Sequence, residues 1–160
     1  MPESLIQHII VTTDLSADAA KAFGYAQYLA RQCGATITLV TCIDTSLHLG
    51  APGFLDEPSM YIPEALQAIR ERTQTEITKQ ASMYFPDTMH KTTVRESPRP
   101  THRILVDFIN QTPAELVIMS SHGRTGISRA FLGSVAEQVI RHSIVPVLVV
   151  PVGSERESGV

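Results

Sequence analysis

The sequence predicts an α/β fold in which a parallel sheet is covered on both faces by helices. Three observations carry that reading. Short apolar runs alternate with longer segments of helical period along the chain, the pattern of repeated strand–helix units. The central runs lack an exposed polar face, as strands buried on both sides require. A chain of 160 residues with 43% apolar and 18% charged content can bury one real core and leaves little room for a second domain.

The elements follow in order. Residues 6–13 (IQHIIVTT) are dense in β-branched side chains and end at Asp14, a first strand. Asp14 and Ser16 are start signals for a helix over 17–32. In it Ala19, Ala22, Phe23, Ala26 and Ala30 recur at helical spacing, and small residues let a helix lie close to a sheet. Gly34 is a good stop, and 35–43 (ATITLVTCI) is a second buried strand. Residues 44–62 hold Gly50, Pro52, Gly53 and Pro58 without a sustained period, a connection of the length that serves a site or moves. The next helix starts near Pro63 and carries Ile62, Leu66, Ile69, Thr73, Ile77, Ala81 and Tyr84 as a stripe broken by Pro86.

Residues 90–96 (HKTTVRE) alternate weakly and fit an edge strand. Pro100 opens a short helix with Ile104, Leu105, Phe108 and Ile109 on one side, and 115–120 (ELVIMS) is the fourth strand. A glycine-punctuated loop over 121–132 leads to Gly133-Ser134, where a helix begins with Val135, Val139 and Ile140 expected to face inward. Residues 146–152 close the sheet. The expected domain is 1–152, with 153–160 a polar tail that frays.

Composition excludes several classes of function. Thirteen basic against 16 acidic residues give a net charge of −3, which argues against a general nucleic-acid or anionic-membrane binder. Cys33 and Cys42 form no CxxC pair, so neither a disulfide framework nor a four-ligand zinc site is indicated. The longest strongly apolar stretch, 145–152, is eight residues with two prolines, far short of the roughly 20 that span a bilayer. The N-terminal MPESLIQHIIV has an acid at Glu3 and no basic segment, so no signal peptide is read there. A soluble cytoplasmic domain is expected.

In an open α/β sheet, ligands bind outside the carboxyl ends of the strands, near the point where strand order reverses. Asp14, Cys42 to Asp44, and Met119 to Gly123 fall on those ends. The strongest signal is MSSHGRTGISRAFLGSV, residues 119–135, with glycines at 123, 126 and 133 and Ser134 at a helix start. Glycines let backbone N–H groups approach an anion, and the helix after Gly133 adds free N–H groups and the positive end of its dipole. Ser134 can either cap that helix or donate to a phosphate. Arg124 and Arg129 make the loop locally cationic. The competing reading is an ordinary loop with turn glycines and a capping serine.

Other phosphate and nucleophile motifs are absent. There is no glycine–lysine pair for a Walker A loop, and the turn Thr13-Asp14-Leu15-Ser16 has no glycine for a GxGxxG fingerprint. Met119-Ser120-Ser121-His122-Gly123 approaches a GxSxG elbow but lacks the first glycine, and a long loop rather than a helix follows. The six histidines, at 8, 48, 90, 102, 122 and 142, show no metal-ligand spacing. His122 can touch a phosphate or simply pack the loop. Arg95, Arg99, His102 and Arg103 read as a solvated face, and Cys42 as a small buried hydrophobe. Asp14 is either a helix cap or an acceptor for a sugar hydroxyl or divalent ion.

With these residues assembled, the chain resembles the universal stress protein family over residues 4–152. Nucleotide-binding members carry G-x2-G-x9-G-[ST] after the fourth strand. Gly123 and Gly133-Ser134 match its later part, Ser120 replaces the first glycine, Asp14 matches the acid after strand one, and PVLVV at 146–150 resembles the last strand. The resemblance implies a five-stranded parallel open sheet with helices on both faces, and a homodimer pairing through the last strand (146–152). It implies ATP, with or without Mg²⁺ or Mn²⁺. Thr12, Thr13 and Asp14 would lie by ribose and adenine, with Cys42 facing adenine through its backbone. Met119 and Ser120 would border the ribose, and Gly123, Gly133, Ser134 and Val135 the phosphates. Ser120 places a Cβ where glycine allows close approach, although its hydroxyl can replace a lost backbone contact. The expected function is an ATP-binding, nucleotide-responsive dimeric switch or adaptor in stress response, with a downstream protein partner. The alternatives are a non-nucleotide interaction module of the same fold and a slow ATP hydrolase, since no general base is placed to activate water.

Overall fold

The computed structural model describes residues 5–46, 62–122 and 132–152. Its elements are β1 (His8–Thr12), α1 (Ala17–Ala20), α2 (Phe23–Cys33), β2 (Thr36–Asp44), α3 (Ile62–Tyr84), β3 (His90–Ser97), α4 (Thr101–Gln111), β4 (Leu116–Ser120), α5 (Ser134–His142) and β5 (Val147–Val150). The five strands form one sheet in the order β3-β2-β1-β4-β5, and all pairings are parallel. The weakly alternating β3 is an edge strand, as its pattern predicts. The chain winds outward from β1 through β2 to β3, then crosses to β4 and β5 on the other side. Strand order therefore reverses between β1 and β4.

Alternate residues of the strands feed two cores. On one face Ile9, Val11, Ile37, Leu39 and Ile118 pack with Phe23, Ala26 and Ala30 of α2 and with Ile77 and Ala81 of α3. On the other, Ile10, Val40, Val117 and Met119 pack with Leu105 and Ile109 of α4 and with Ala136 and Val139 of α5. The period-two alternation along β1 and β4 is what divides them. Phe23 is fully buried, and removing a side chain of that kind from water contributes about 1.5–3 kcal/mol.

Several expectations need correction. The helix expected over 17–32 breaks after Ala20, where the Lys21 N–H folds back to Ala19 O and Asp18 O. Ala19, Ala22, Phe23, Ala26 and Ala30 are nonetheless all buried. Ile140 does not face inward: Ala136 and Val139 form the buried stripe of α5, and Ile140, one position on, turns away and is 46% exposed. Tyr84 stays at the surface with its ring edge-on to Phe23 at 5.0 Å, while Phe85 enters the core. The basic group near β3 is not merely solvated: Arg95 lies over the Phe108 ring and Arg99 pairs with Asp107 at 2.7 Å. The tail 153–160 lies outside the described residues.

The amino edge of the sheet is closed by its own side chains. Glu115 accepts the N–H groups of His8 (2.8 Å) and Gln7 (3.0 Å), and these bonds, His8 first, hold its carboxyl below the usual range. His8 Nδ1 donates to Pro113 O at 2.7 Å, and Nε2 meets Thr38 Oγ1 at 2.7 Å. No described helix is long and apolar enough to cross a membrane.

Candidate functional site

A cleft of about 990 Å³ opens at the carboxyl ends of β1, β2 and β4, over the reversal point where such sheets bind ligands. Thr12, Thr13, Asp14, Cys42, Met119, Ser120, Gly133, Ser134 and Val135 all line it. These nine are far apart in sequence, and the crossover brings them to one place. Gly123, Gly126, Arg124 and Arg129 lie outside the described residues, as does most of the 44–62 connection.

The floor is the turn after β1. Thr13 N–H donates to Val40 O at 2.9 Å, and Thr13 Oγ1 accepts the Leu15 N–H at 2.9 Å. Leu15 has φ of 67°, a left-handed conformation that costs a non-glycine residue about 1–2 kcal/mol. Gln80 of α3 holds it there: its Nε2 donates to Leu15 O at 3.1 Å, and its Oε1 accepts from Thr13 Oγ1 at 3.2 Å. Asp14 Oδ1 accepts the N–H (3.0 Å) and hydroxyl (2.5 Å) of Ser16, whose Oγ in turn accepts the Ala19 N–H at 3.1 Å. Asp44 makes the same Asx turn with Ser46 after β2. The two acids thus end neighbouring strands in the same local geometry.

Cys42 sits between these turns. Burial pushes its thiol up to about 12, with Arg95 opposing in part. A thiol that remains protonated is a poor nucleophile, so Cys42 serves as a small apolar wall.

The other side of the cleft is built on Ser121. Its N–H donates to Val150 O (2.8 Å), its carbonyl accepts the Gly133 N–H (2.8 Å), and its Oγ accepts the Val152 N–H (3.0 Å). Oγ also lies 2.9 Å from His122 Nδ1. Ser120 is buried, and its hydroxyl donates to His122 O at 2.7 Å. His122 Nε2 is buried without a hydrogen-bond partner among the described residues, a state that costs about 1–3 kcal/mol for an ordinary polar group.

Gly133 answers the question of what caps the last helix. It is the N-cap of α5 and makes no side-chain cap bond, so Ser134 is the first helical residue and not the cap. The glycine is required by space: a Cβ there would stand 2.9 Å from Ser121 O. Gly133, Ser134, Val135 and Ala136 at the start of α5 line the cleft, and its glycine cap leaves the first N–H groups without a side-chain acceptor from the cap, with Glu137 the acid of the first turn.

Sequence reasoning missed Ile69, Arg72, Thr73 and Glu76 of α3 and Thr101 of α4, which also line the cleft, and the Gln80 clamp. A signal existed: Arg72, Glu76 and Gln80 recur every four residues beside the apolar stripe, a polar line along one helix face. Among the described residues no group of three His, Cys, Asp or Glu is arranged to hold a metal ion.

Comparison with known proteins places this geometry. The model of the universal stress protein family matches residues 5–151. The universal stress protein MJ0531 of Methanocaldococcus jannaschii is 31% identical over 148 residues, covering 92% of this chain and 84% of the relative. The solved structure of MJ0577, from the same organism, superposes with a TM-score of 0.77 at 22% identity, over 91% of this chain and 96% of that one. A universal stress protein of Archaeoglobus fulgidus, described in complex with dAMP, superposes with a TM-score of 0.53 at 19% identity, over 91% of this chain and 98% of its own.

Proposed function

The chain belongs to the universal stress protein family, and from that premise we propose that it binds ATP in the cleft and acts as a nucleotide-responsive dimeric switch or adaptor in the stress response. One observation carries the reading: a glycine-capped helix start at Gly133, pressed against Ser121 O where a Cβ has no room, at the reversal point of the sheet. Backbone N–H groups at a helix start suit phosphate oxygens. At the opposite end, Thr12, Thr13, Asp14 and the backbone at Cys42 offer polar groups for ribose and adenine, with Met119 and Ser120 between. Gly133, Ser134 and Val135 would surround the phosphates, with Gly123 joining them from the loop. Mg²⁺ or Mn²⁺ would accompany the triphosphate and supply charge neutralisation there. The dAMP complex of the Archaeoglobus fulgidus relative supports the choice of an adenine nucleotide.

The dimer is proposed through the last strand. Val147, Leu148 and Val149 of β5 are only half-buried, and nearby Ile144 is 78% exposed. An apolar edge of this kind is a liability until another strand covers it. Residues 1–152 would form the single folded unit. The two free thiols, Cys33 and Cys42, suit a reducing cytoplasm.

Calorimetry with ATP and Mg²⁺ tests the binding step. Saturable heat accompanied by a rise in melting temperature is expected, and no heat or thermal shift at millimolar ATP overturns the proposal. Ser120 favours a second reading, a non-nucleotide interaction module, because its hydroxyl is already given to His122 O and its Cβ occupies the ribose side. An adenine nucleotide retained through purification rejects that reading.

A further inference from the structure

Gln80 is a buried polar side chain that reaches from α3 to the turn beneath the cleft. It stands beside Ala81 and one turn from Ile77, both fully buried, and is itself 9% exposed. Its helix is fixed to the edge strand by Gln74 Nε2, which donates to Thr92 Oγ1 at 3.2 Å, and by the Arg70–Glu96 ion pair. The Gln80 amide therefore acts from a set position. Leu15 O can only accept, so the amide nitrogen faces it, at 3.1 Å, and Oε1 is left to accept the Thr13 hydroxyl at 3.2 Å. With that proton committed, Thr13 Oγ1 accepts the Leu15 N–H at 2.9 Å.

One amide thus grips residues 13 and 15 and brackets Asp14 between them. Local bonds run from Asp14 to Ser16 and from Leu15 to Thr13, but the bonds to the Leu15 carbonyl and from the Thr13 hydroxyl both go to α3. Leu15 has φ of 67°, a conformation that side chains avoid. Such strain persists where the surroundings hold it, and it collects at ligand-binding turns. Thr12, Thr13, Asp14 and Leu15 line the cleft, and Gln80 stands behind them without lining it. We infer that Gln80 is a positioning residue: it holds the turn that presents Thr13 and Asp14 to the sugar and base of an adenine nucleotide. It thereby sets the affinity for the nucleoside part of the ligand without touching the ligand. This role rests on the nucleotide reading above and adds to it a control point on α3.

Calorimetry on the full chain with ATP and with AMP, below the melting temperature of each variant, tests the role. Gln80→Leu keeps the bulk and removes both bonds. Releasing Leu15 from its left-handed conformation is expected to weaken ATP and AMP by the same factor, about fivefold to thirtyfold. Equal factors locate the loss in the part the two ligands share, away from the β- and γ-phosphates. Gln80→Glu keeps the size and the acceptor but sets a carboxylate against Leu15 O, and it loses at least as much. Adding Leu15→Gly to Gln80→Leu recovers most of the loss, because glycine adopts a positive φ without steric cost. Backbone ¹³C shifts of Leu15 give a readout independent of affinity. They report the left-handed turn in wild type, its loss in Gln80→Leu, and its return when that variant is saturated with ATP. These signals decide even where the double variant fails to fold.

Wild-type ATP affinity in folded Gln80→Leu overturns the positioning role while nucleotide binding stands. A loss that grows from AMP to ATP overturns it as well, since the glutamine would then be acting on the phosphate end. Leu15 signals unmoved in Gln80→Leu show that the turn does not carry the effect, and they reject the role. Wild type that binds neither ATP nor AMP overturns the nucleotide reading, and the role of Gln80 falls with it.

Discussion

Helices α1 and α5 both begin at the carboxyl edge of the sheet, beside the same cleft, and they close their first turns in opposite ways. At α1, Ser16 accepts the Ala19 N–H and is itself held by Asp14. The donors there are answered from within the chain. At α5, the cap is Gly133, which has no side chain to offer, and its N–H is spent on Ser121 O. The difference supports the assignment proposed for the two ends of the cleft. A start closed by Ser16 and Asp14, in a cleft that Asp44 also lines, disfavours anions and offers acceptors, whereas a glycine-capped start favours them. A ligand with an anionic head and a hydroxyl- or amine-bearing tail fits this polarity in one direction only.

The sharpest way to break that contrast is to fill the space at Gly133. In Gly133→Ala the new Cβ meets a backbone carbonyl, Ser121 O, at 2.9 Å, and neither partner is the end of a flexible side chain. Overpacking of this kind costs about 1–3 kcal/mol, and alanine is also a poorer N-cap than glycine. The start of α5 must then move away from Ser121 and His122. Chemical denaturation should show the lost stability, and calorimetry an ATP affinity lower by roughly a hundredfold, as two charge-assisted bonds weaken together. Wild-type affinity in a folded Gly133→Ala protein would remove the open helix start from the proposed site.

Ser134→Ala sharpens the same contrast without disturbing the backbone. Ser134 is exposed and is not the cap of α5, so stability should stay within about 0.5 kcal/mol of wild type. If its hydroxyl bonds a phosphate oxygen, ATP affinity falls roughly tenfold to hundredfold. Stability and affinity therefore separate in this variant, whereas they fall together in Gly133→Ala. An unchanged affinity would leave the backbone N–H groups as the whole of the anion site at this helix.

The same contrast shows how far the sequence could be read. Alternating strands and helices, the edge position of β3 and the gathering of Asp14, Cys42 and Gly133 at one sheet edge follow from local patterns that the fold obeys. What the sequence could not reveal lies in contacts between distant residues. Leu15 adopts φ of 67° in a turn without glycine, because Gln80 grips it from a helix 65 residues away. Gly133 is needed for a reason its own backbone hides: its φ of −61° is open to any residue, and only Ser121 O forbids a side chain. The break after Ala20 likewise has no proline or glycine to announce it. Ile140 was misplaced because helical spacing marks a stripe without saying which edge of it meets the sheet.

Ser16→Ala is the smallest of the three expected effects and the control for the other two. It removes the acceptor for the Ala19 N–H and one of the two bonds from Ser16 to Asp14, leaving the bond from its own N–H. Loss of a serine cap costs about 1 kcal/mol, readable as a lower denaturation midpoint. Ser16→Asp, which can also cap, should recover most of it. ATP affinity should change by no more than about threefold, because the donors freed at α1 belong to a short helix beside acids, not to the phosphate end. If Ser16→Ala instead weakened ATP as strongly as Ser134→Ala, the turn after β1 would have to be holding the ligand through the Asp14–Ser16 pair. The closed and open helix starts would then be two halves of one binding device, and the polarity assigned to the cleft would have to be redrawn.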